Sequence, residues 1–201
     1  AQRPQADPGN RAQHGLPEHV FVFCSFNQSF KITAEVFACW MRILHQSPES
    51  VLWLQECNPW ATKHLKQAAH DAGVAPDRLI FAPRTSVEQH IARQQHADLM
   101  LDTTPYNAHT TASDALWQGI PLLTVEGDSF PARVTASLLK YSGLEECICL
   151  DWDSLEKQAV LLARDVNALQ KLKEKVKKQA KVLFDPQSFC RQLEQVYRAL
   201  L

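Results

Sequence analysis

Three side chains that can bind an anion stand in a row where a helix is predicted to begin. His109, Thr110 and Thr111 follow an apolar run at 97–102 and a proline turn, and they precede a helical pattern. The N-terminus of a helix presents unpaired backbone N–H groups and the positive end of its dipole, which favours an anion and most often a phosphate. Because the hydroxyls and the imidazole add donors, we interpret this segment, the His-Thr-Thr cluster, as one half of a phosphate site.

A simpler interpretation of the cluster needs no ligand. Threonine is common at the N-cap of helices, where its hydroxyl satisfies a backbone N–H group. Thr110 and Thr111 would then only cap the helix, and His109 would be a turn histidine whose hydrogen bonds are satisfied. The local sequence, considered alone, favours this alternative.

The elements that position the cluster alternate between strands and helices. Six short apolar runs are separated by segments with helical spacing. The runs are apolar throughout rather than alternating, which is typical of a parallel sheet covered on both faces. The sequence therefore predicts an α/β domain with a Rossmann-like, doubly wound parallel sheet of about six strands. The predicted strands are 20–26, 50–55, 78–83, 97–102, 120–125 and 146–150.

The helix predictions rest on apolar stripes and on signals for helix ends. Val36, Trp40 and Leu44 form one stripe, and a Ser86-x-x-Gln89 capping box precedes a later helix. Glycine is the residue that most often ends a helix, because it adopts the left-handed conformation without steric cost. The glycines predicted to end helices are Gly73, Gly119 and Gly143.

After Asp151 the pattern changes to helices alone. An Asp-x-x-Glu box at 153–156 predicts the start of one helix, a lysine-rich helix follows at about 167–183, and a last helix covers about 186–201. The lysines could form a lipid or nucleic-acid patch, but apolar residues on the opposite side favour an ordinary solvated face. These lysines are Lys171, Lys173, Lys175, Lys177, Lys178 and Lys181.

The domain organisation follows from the same patterns. Residues 1–17 contain three prolines, two glycines and no apolar periodicity, which predicts a flexible tail or a linker from an upstream segment. Residues 18–201 are predicted to form one domain, with its C-terminal helices at about 152–201. We expect the chain to be a fragment of a longer protein.

Two polar loops are expected to converge on the ligand. In doubly wound sheets the ligand lies beyond the carboxyl ends of the strands, where the strand order reverses. With the order 3-2-1-4-5-6, the first and fourth strands are neighbours at that point. Gln28 and Lys31 follow the first strand, and the His-Thr-Thr cluster follows the fourth. We therefore expect Lys31 to be the cation that faces the cluster.

Three further side chains are weaker candidates. Asp114 falls one turn into the predicted helix, where its carboxylate could reach a ribose or only complement the helix dipole. His90 and Arg93, at positions i and i+3 of the helix after the third strand, could face the same crevice or could be ordinary surface side chains.

Composition limits the partners and the compartment. A formal net charge of −1 gives no global reason to expect nucleic acid or an anionic membrane as a partner. No segment approaches the roughly 18 to 20 apolar residues of a membrane span. The cysteines lie far apart without a C-x-x-C motif, which favours reduced thiols in a cytoplasmic protein over a disulfide framework. They are Cys24, Cys39, Cys57, Cys147, Cys149 and Cys190.

Motifs of other chemistries are missing from the sequence. It contains neither G-x-G-x-x-G after the first strand nor G-x-x-x-x-G-K-[ST], so dinucleotide and P-loop sites lose their main support. The G-x-S-x-G motif of serine hydrolases and the spacings of zinc ligands are also missing. We expect no metal and no cofactor.

Most of the chain resembles a known family. The segments "FVFCSFNQSFKI", "SVLWL", "DRLIFAP" and "EQHIARQQHADLMLDTTPYNAHTTASDALWQGIPLLTVEGDSFPARVTASLL" are similar to the C-terminal, donor-binding half of O-GlcNAc transferases, glycosyltransferase family 41. The resemblance runs from about Asn10 to the C-terminus, and the bacterial members look especially close. The D-T-x-x-x-N and D-x-L-W-x-G motifs that flank the His-Thr-Thr cluster make it specific.

The resemblance implies a GT-B fold and a role for each candidate residue. Gln28 and Lys31 are expected to contact the diphosphate of a UDP-sugar, and Lys31 to stabilise the departing UDP. His109, Thr110 and Thr111 match the family's phosphate-binding helix start, and Lys31 and His109 are the residues expected to act in catalysis. The remaining matches are Asp114 near the ribose, and His90 and Arg93 beside the uridine.

The sequence departs from the family at three positions close to these candidate residues. Val87 stands where the animal enzymes have a lysine near the uracil, and Ala108 and Ala112 replace glycines beside the cluster. The activity implied is metal-independent, inverting transfer of N-acetylglucosamine, or of glucose, from a UDP-sugar to a polypeptide. The family's helical TPR repeats and N-terminal Rossmann-like half lie outside these residues.

Two other functions remain open from the sequence. The chain could be a degenerate, noncatalytic transferase domain that serves as a protein-interaction module, which predicts a folded domain without nucleotide binding. It could also be an enzyme on the same fold that prefers another phosphate ligand to UDP. As the donor half of a transferase, the chain alone is expected to bind nucleotide but to transfer sugar poorly.

Overall fold

The protein forms one six-stranded sheet with helices on both faces, in a computed structural model that describes residues 6–200. Every strand pair is parallel and the order is β3-β2-β1-β4-β5-β6, which confirms the predicted doubly wound α/β fold. The strands are β1 (Phe21–Ser25), β2 (Ser50–Gln55), β3 (Leu79–Ala82), β4 (Leu99–Leu101), β5 (Leu122–Val125) and β6 (Ile148–Cys149).

Helices connect the strands in the expected alternation. They are α1 (Ala34–Gln46), α2 (Pro59–Asp71), α3 (Val87–Arg93), α4 (Thr110–Trp117), α5 (Val134–Tyr141), α6 (Trp152–Arg164), α7 (Val166–Gln179) and α8 (Pro186–Ala199). Gly73, Gly119 and Gly143 have φ values of 77°, 75° and 67°, so each adopts the left-handed conformation predicted for a helix end.

The core lies on both faces of the sheet. The central strands are buried along nearly their whole length, which explains why their sequences are apolar without alternation. Trp40 from α1 and Trp53 from β2 are the largest fully buried side chains, with 0% exposure each. The stripe predicted from Val36, Trp40 and Leu44 is buried, as its spacing requires.

The cap of α6 differs from the prediction. The Asp153-x-x-Glu156 box does not open this helix; Asp151 is the N-cap, and its side chain accepts the backbone N–H of Ser154 at 2.7 Å. The Ser154 hydroxyl in turn accepts the N–H of Asp151 at 3.0 Å. The capping box therefore begins two residues earlier, because serine can take the second role of the box as well as glutamate. In α3, Ser86 accepts the N–H of Gln89 at 3.3 Å, as predicted.

Part of the segment predicted to be a tail packs on the domain. Leu16 is buried, and the Arg11 guanidinium donates to the carbonyl of Val20 at 2.7 Å and pairs with Asp98 at 3.1 Å. Asp98 also pairs with Lys173 of α7 at 2.7 Å. Residues 11–16 are thus held against the amino ends of β1 and β4, while residues 1–5 of the predicted tail lie outside the described residues.

The C-terminal helices have different environments. Helix α7 buries Leu169, Leu172 and Val176, which agrees with one apolar side and one solvated lysine side. None of the residues described in α8 is buried. Within residues 6–200, no helix is long and apolar enough to cross a membrane.

Candidate functional site

The loops that follow β1 and β4 meet at the carboxyl edge of the sheet, as the strand order predicts. Asn27, two residues beyond β1, is 3% exposed and donates from Nδ2 to the Thr103 hydroxyl at 2.8 Å. Its Oδ1 accepts the hydroxyl of Thr111 in α4 at 2.6 Å. One side chain therefore joins the end of β1, the loop after β4 and the start of α4.

A buried carboxylate organises the loop between β4 and α4. Asp102 accepts the backbone N–H groups of Thr103 at 2.8 Å and Ala108 at 2.6 Å, and the Thr124 hydroxyl at 2.8 Å. Complete burial raises the pKa of Asp102, while these hydrogen bonds act in the opposite direction. The two ends of the loop, at Thr103 and Ala108, are therefore hydrogen-bonded to the same Asp102 side chain.

The start of α4 is not capped by its threonines. His109 occupies the N-cap position without a side-chain capping bond, and Thr110 and Thr111 are the first two helical residues. The part of the ligand-free interpretation in which the threonines cap the helix is therefore wrong. Thr110 is exposed, and the Nε2 atom of His109 lies 3.3 Å from the carbonyl oxygen of Pro131. The first N–H groups of α4 have no acceptor within the helix, as at any helix start.

Lys31 approaches the same place from the loop after β1. Its Nζ donates to the carbonyl oxygen of Asn107 at 2.9 Å and lies 3.7 Å from the centroid of the Tyr106 ring. The ring of His109 contacts the same tyrosine, with 5.1 Å between centroids. Burial lowers the pKa of Lys31, and the charge of Asp102 partly offsets this effect. The structure thus brings Lys31 and His109, the first residue of the His-Thr-Thr cluster, together around Tyr106.

Gln28 lies in the same turn as Lys31. Its carbonyl oxygen accepts the N–H of Lys31 at 2.9 Å, and its side chain is exposed. The Sγ atom of Cys57, in the loop after β2, accepts the N–H of Ser29 at 3.2 Å and lies 3.5 Å from Oε1 of Gln28. The turn is therefore supported from the neighbouring strand.

His90 and Arg93 form a pair, but they differ in exposure. Arg93 is 3% exposed, and its guanidinium donates to the carbonyl of Pro83 at 2.7 Å and to Nδ1 of His90 at 2.9 Å. The His90 ring meets Phe26, directly beyond β1, with 5.1 Å between centroids. Burial, followed by the charge of Arg93, lowers the pKa of His90 to about 4. Arg93 holds a neutral His90 beside the β1 loop, and of the two residues only His90 reaches the surface.

The remaining candidate positions lie on α3 and α4. Asp114 is 9% exposed and lies one turn along α4. Val87, at the start of α3, is 64% exposed. Ala108 and Ala112 are fully buried, and no described residue other than glycine has a positive φ. Neither Ala108 nor Ala112 therefore has a backbone conformation that requires glycine.

Sequence reasoning assigned no role to three residues of this site. Asn27 and Asp102 are polar residues that follow β1 and β4, and Tyr106 is one aromatic ring in a loop. The D-T-x-x-x-N motif contained a usable signal, because a carboxylate after a buried strand must find several donors. Rings also flank the site: Phe30 is 73% exposed and Phe130 is 80% exposed.

The site contains no obvious set of metal ligands. Across residues 6–200, no three histidine, cysteine, aspartate or glutamate side chains are grouped as a metal ion would require. All six cysteines are free thiols, so the disulfide framework does not form.

Comparison with known proteins identifies the family. The model of glycosyl transferase family 41 matches residues 7–193. The chain belongs to this family. Among curated relatives, the Caenorhabditis elegans UDP-N-acetylglucosamine–peptide N-acetylglucosaminyltransferase is 34% identical over 187 residues, covering 92% of this chain and 16% of the relative. The probable Arabidopsis thaliana transferase SEC is 34% identical over 197 residues, covering 96% and 20%.

A solved structure shows the same architecture in a family 41 chain. The K341M mutant of Thermobaculum terrenum O-GlcNAc transferase superimposes with a TM-score of 0.85 at 32% identity, covering 98% of this chain and 38% of that one. This chain therefore corresponds to one Rossmann-like part of a larger GT-B structure. It spans 16% to 20% of the length of the two curated relatives named above.

Proposed function

We propose that this chain is the donor-binding domain of an inverting, metal-independent protein glycosyltransferase that uses UDP-N-acetylglucosamine or a related UDP-sugar. One observation carries the proposal: the Lys31 ammonium and the ring of His109, the N-cap of α4, contact the same tyrosine, Tyr106, in the loop before the helix. A cation beside the free N–H groups of a helix start suits a diphosphate. Membership of family 41 and the names of the relatives support the UDP-sugar.

Each predicted residue has a role in this proposal. Gln28 and Lys31 contact the diphosphate from the β1 side, and the His-Thr-Thr cluster contacts it from α4. Asp114 reaches the ribose, and His90, held by Arg93, contacts the uridine. The burial of Arg93 and its hydrogen bond to His90 support a positioning role for this residue.

The chemistry assigned to this domain is stabilisation of the leaving group. When the bond between the sugar and the diphosphate breaks, the electron pair stays with UDP and negative charge grows on its phosphate oxygens. In this proposal Lys31 and the start of α4 stabilise that charge, and the hydrogen bond that already fixes the Lys31 ammonium supports the assignment. In this proposal the lysine side chain and the helix dipole supply the charge stabilisation that a bound divalent cation can supply.

The polypeptide acceptor requires more than these residues. Transfer is fast only when acceptor and donor are held in reactive geometry, and such positioning contributes much of the rate. We propose that an N-terminal Rossmann-like half, with helical repeats, provides the acceptor side in the full protein. The chain alone then binds nucleotide and transfers sugar poorly, and robust glycosylation of a protein by the purified chain would contradict this part of the proposal.

We also propose a cytoplasmic location, supported by the six free cysteines. Cys24, Cys39 and Cys147 are fully buried, and burial raises the pKa of each thiol. A reducing compartment keeps exposed thiols such as Cys190 unpaired.

The first test is titration calorimetry of the chain with UDP, with ADP as the competing nucleotide and EDTA present throughout. We expect selective UDP binding without metal. Lys31→Ala and His109→Ala should weaken UDP binding about tenfold to a hundredfold, the range for one lost hydrogen bond to a charged group. Lys63→Ala, at an exposed lysine on α2, is the matched control and should bind as the wild type does.

The other outcomes of this titration separate the alternatives. A folded chain that binds neither nucleotide would support the noncatalytic interaction module. Tighter binding of ADP than of UDP would support an enzyme with another phosphate ligand. Either result would overturn the proposal of a UDP-sugar site.

A further inference from the structure

Two consecutive residues of one loop hold the Lys31 ammonium. The face of the Tyr106 ring lies 3.7 Å from Nζ, and the carbonyl oxygen of Asn107 accepts its hydrogen bond at 2.9 Å. A ring face and a carbonyl oxygen both carry negative potential, so both favour a charged amine. The ammonium therefore has a defined position before any ligand is present.

The loop that carries Tyr106 is itself held in place. The carbonyl oxygen of Tyr106 accepts the hydroxyl of Thr103 at 2.7 Å, and the N–H of Asn107 donates to the carbonyl of Pro131 at 2.9 Å. Asn107 is fully buried, and its Nδ2 donates to the carbonyl of Thr103 at 2.7 Å. The Tyr106 ring is therefore attached to backbone whose position is held by hydrogen bonds to Thr103 and Pro131.

Preorganisation matters because lysine is flexible. Its side chain carries about 2 kcal/mol of rotamer entropy, which is lost when the ammonium is fixed on a ligand. Contacts that fix the ammonium in advance reduce the part of this cost that binding must meet. Lys31 is also partly desolvated, which lowers its pKa, and the charge of Asp102 acts in the opposite direction.

We propose that Tyr106 is a positioning residue, whose ring holds the Lys31 ammonium at the start of α4 in the place where it meets the diphosphate of the donor. This inference rests on the proposed function, since it concerns the same site. It adds a residue that acts through Lys31 rather than on the sugar or the nucleotide.

A double-mutant cycle tests whether Tyr106 acts through Lys31. UDP and uridine are titrated into the wild type, Tyr106→Leu, Tyr106→Phe, Lys31→Ala and Tyr106→Leu/Lys31→Ala. Tyr106→Leu should weaken UDP binding about threefold to thirtyfold, the range of a cation–π contact, and leave uridine binding unchanged. Tyr106→Phe keeps the ring face and should bind UDP as the wild type does. In the Lys31→Ala background, Tyr106→Leu should have no further effect.

Controls separate this effect from general damage. Tyr106 is 40% exposed, so its replacement opens no cavity in the core, and urea unfolding should confirm that each variant is folded. Tyr106→Met is a second aliphatic replacement in case the leucine variant is unstable. Tyr141→Leu, at a 44% exposed tyrosine on α5, is the matched control and should bind UDP normally.

The contrary outcomes are distinct from failure of the proposed function. If the wild type binds UDP and the aliphatic variants bind it equally well or more tightly, Tyr106 does not position Lys31. If Tyr106→Leu weakens binding equally with and without Lys31, the ring acts directly on the ligand and the inference is overturned. If the wild type binds no UDP, the proposed function fails, and this inference fails with it.

Discussion

Thr111, in the first turn of α4, donates its hydroxyl hydrogen bond to Oδ1 of Asn27, 84 positions earlier in the chain, at 2.6 Å. The other end of the same amide donates to Thr103, in the loop after β4. Asn27 therefore uses its acceptor on the helix and its donor on the loop. The relative position of the two loops that form the candidate site depends on a side chain that offers both groups.

Replacement of Asn27 by aspartate removes only the donor. The new carboxylate would lie about as far from Asp102 as Nδ2 does, at 3.4 Å from Oδ1, with both side chains buried. We expect Asn27→Asp to lower the free energy of unfolding by about 2 kcal/mol or more at pH 8, because a buried donor is lost and two carboxylates face each other.

The pH dependence identifies the cause of that loss. Repulsion between the introduced carboxylate and Asp102 raises the pKa of both groups in the folded state. Protonation therefore favours the folded state below the unfolded pKa, and this stabilisation is lost as pH rises through the folded pKa. Urea unfolding should therefore show a smaller defect of Asn27→Asp at pH 5 than at pH 8. Asn58→Asp is the control: Asn58 is the N-cap of α2, where aspartate caps equally well. An equal defect at both pH values would contradict the explanation.

Asp102 is expected to matter for stability more than any exposed acid. Asp102→Ala would leave the N–H groups of Thr103 and Ala108 without their acceptor inside the protein. We expect a loss of about 3 to 5 kcal/mol in the free energy of unfolding. Asp102→Asn retains one oxygen for the two N–H groups and should lose less.

The matched control for Asp102 lies in the loop after β5. Asp128 is exposed, and Asp128→Ala should change the free energy of unfolding by no more than about 0.5 kcal/mol. Urea unfolding followed by circular dichroism measures all three variants. Comparable losses for Asp102→Ala and Asp128→Ala would show that the loop does not depend on the buried carboxylate.

The fold could be predicted from the sequence because its signals are local. Each strand is a short apolar run, and Gly73, Gly119 and Gly143 mark helix ends through their own backbone requirement. The strand order then follows from the rules for doubly wound sheets, and it predicts which two loops meet. The start of α6 was less predictable, because Asp151 and Asp153 both fit a cap and only the hydrogen bonds decide between them.

The site could be predicted only in outline. Lys31 and the His-Thr-Thr cluster are recognisable because their chemistry and their places in the loops are visible in the sequence. Asn27 and Tyr106 are not, because their importance depends on contacts between distant segments. The role of Asn27 becomes visible only when the strand order places it beside α4. The role of Tyr106 becomes visible only when the Lys31 ammonium is found over its ring.

His90 is expected to stay neutral across physiological pH. Its Nδ1 accepts a hydrogen bond from Arg93, and burial together with that charge lowers its pKa from 6.5 to about 4. The unfolded chain therefore binds more protons between these values. The stabilisation from neutral His90 is complete above about pH 6.5 and is lost as pH falls through about pH 4.

The variant His90→Gln tests this assignment. Urea unfolding between pH 4 and pH 7 should show a flatter pH dependence for His90→Gln than for the wild type. His64→Gln, at an exposed histidine on α2, should retain the wild-type dependence. If His90→Gln and the wild type lose stability in parallel as pH falls, His90 is not the residue responsible.

Helix α8 is expected to contribute little to the stability of the chain alone. None of its described residues is buried, and Phe189, Val196 and Tyr197 are 58%, 55% and 60% exposed. Apolar side chains stabilise a fold only by the area they remove from water. The hydroxyl of Tyr141 donates to Oε1 of Gln192 at 3.1 Å, an exposed contact of small net value.

Two truncations distinguish α8 from the segment that precedes it. Removal of residues 186–201 should change the free energy of unfolding by less than about 1 kcal/mol, since it removes no buried residue described in α8. Removal of residues 180–201 also deletes Ala180, which is 2% exposed, and Phe184, whose ring meets Trp117 at 4.8 Å. That longer truncation should lower the free energy of unfolding by at least about 2 kcal/mol, because it uncovers Trp117 at the C-terminal end of α4. Equal losses from both truncations would mean that α8 covers apolar surface in solution.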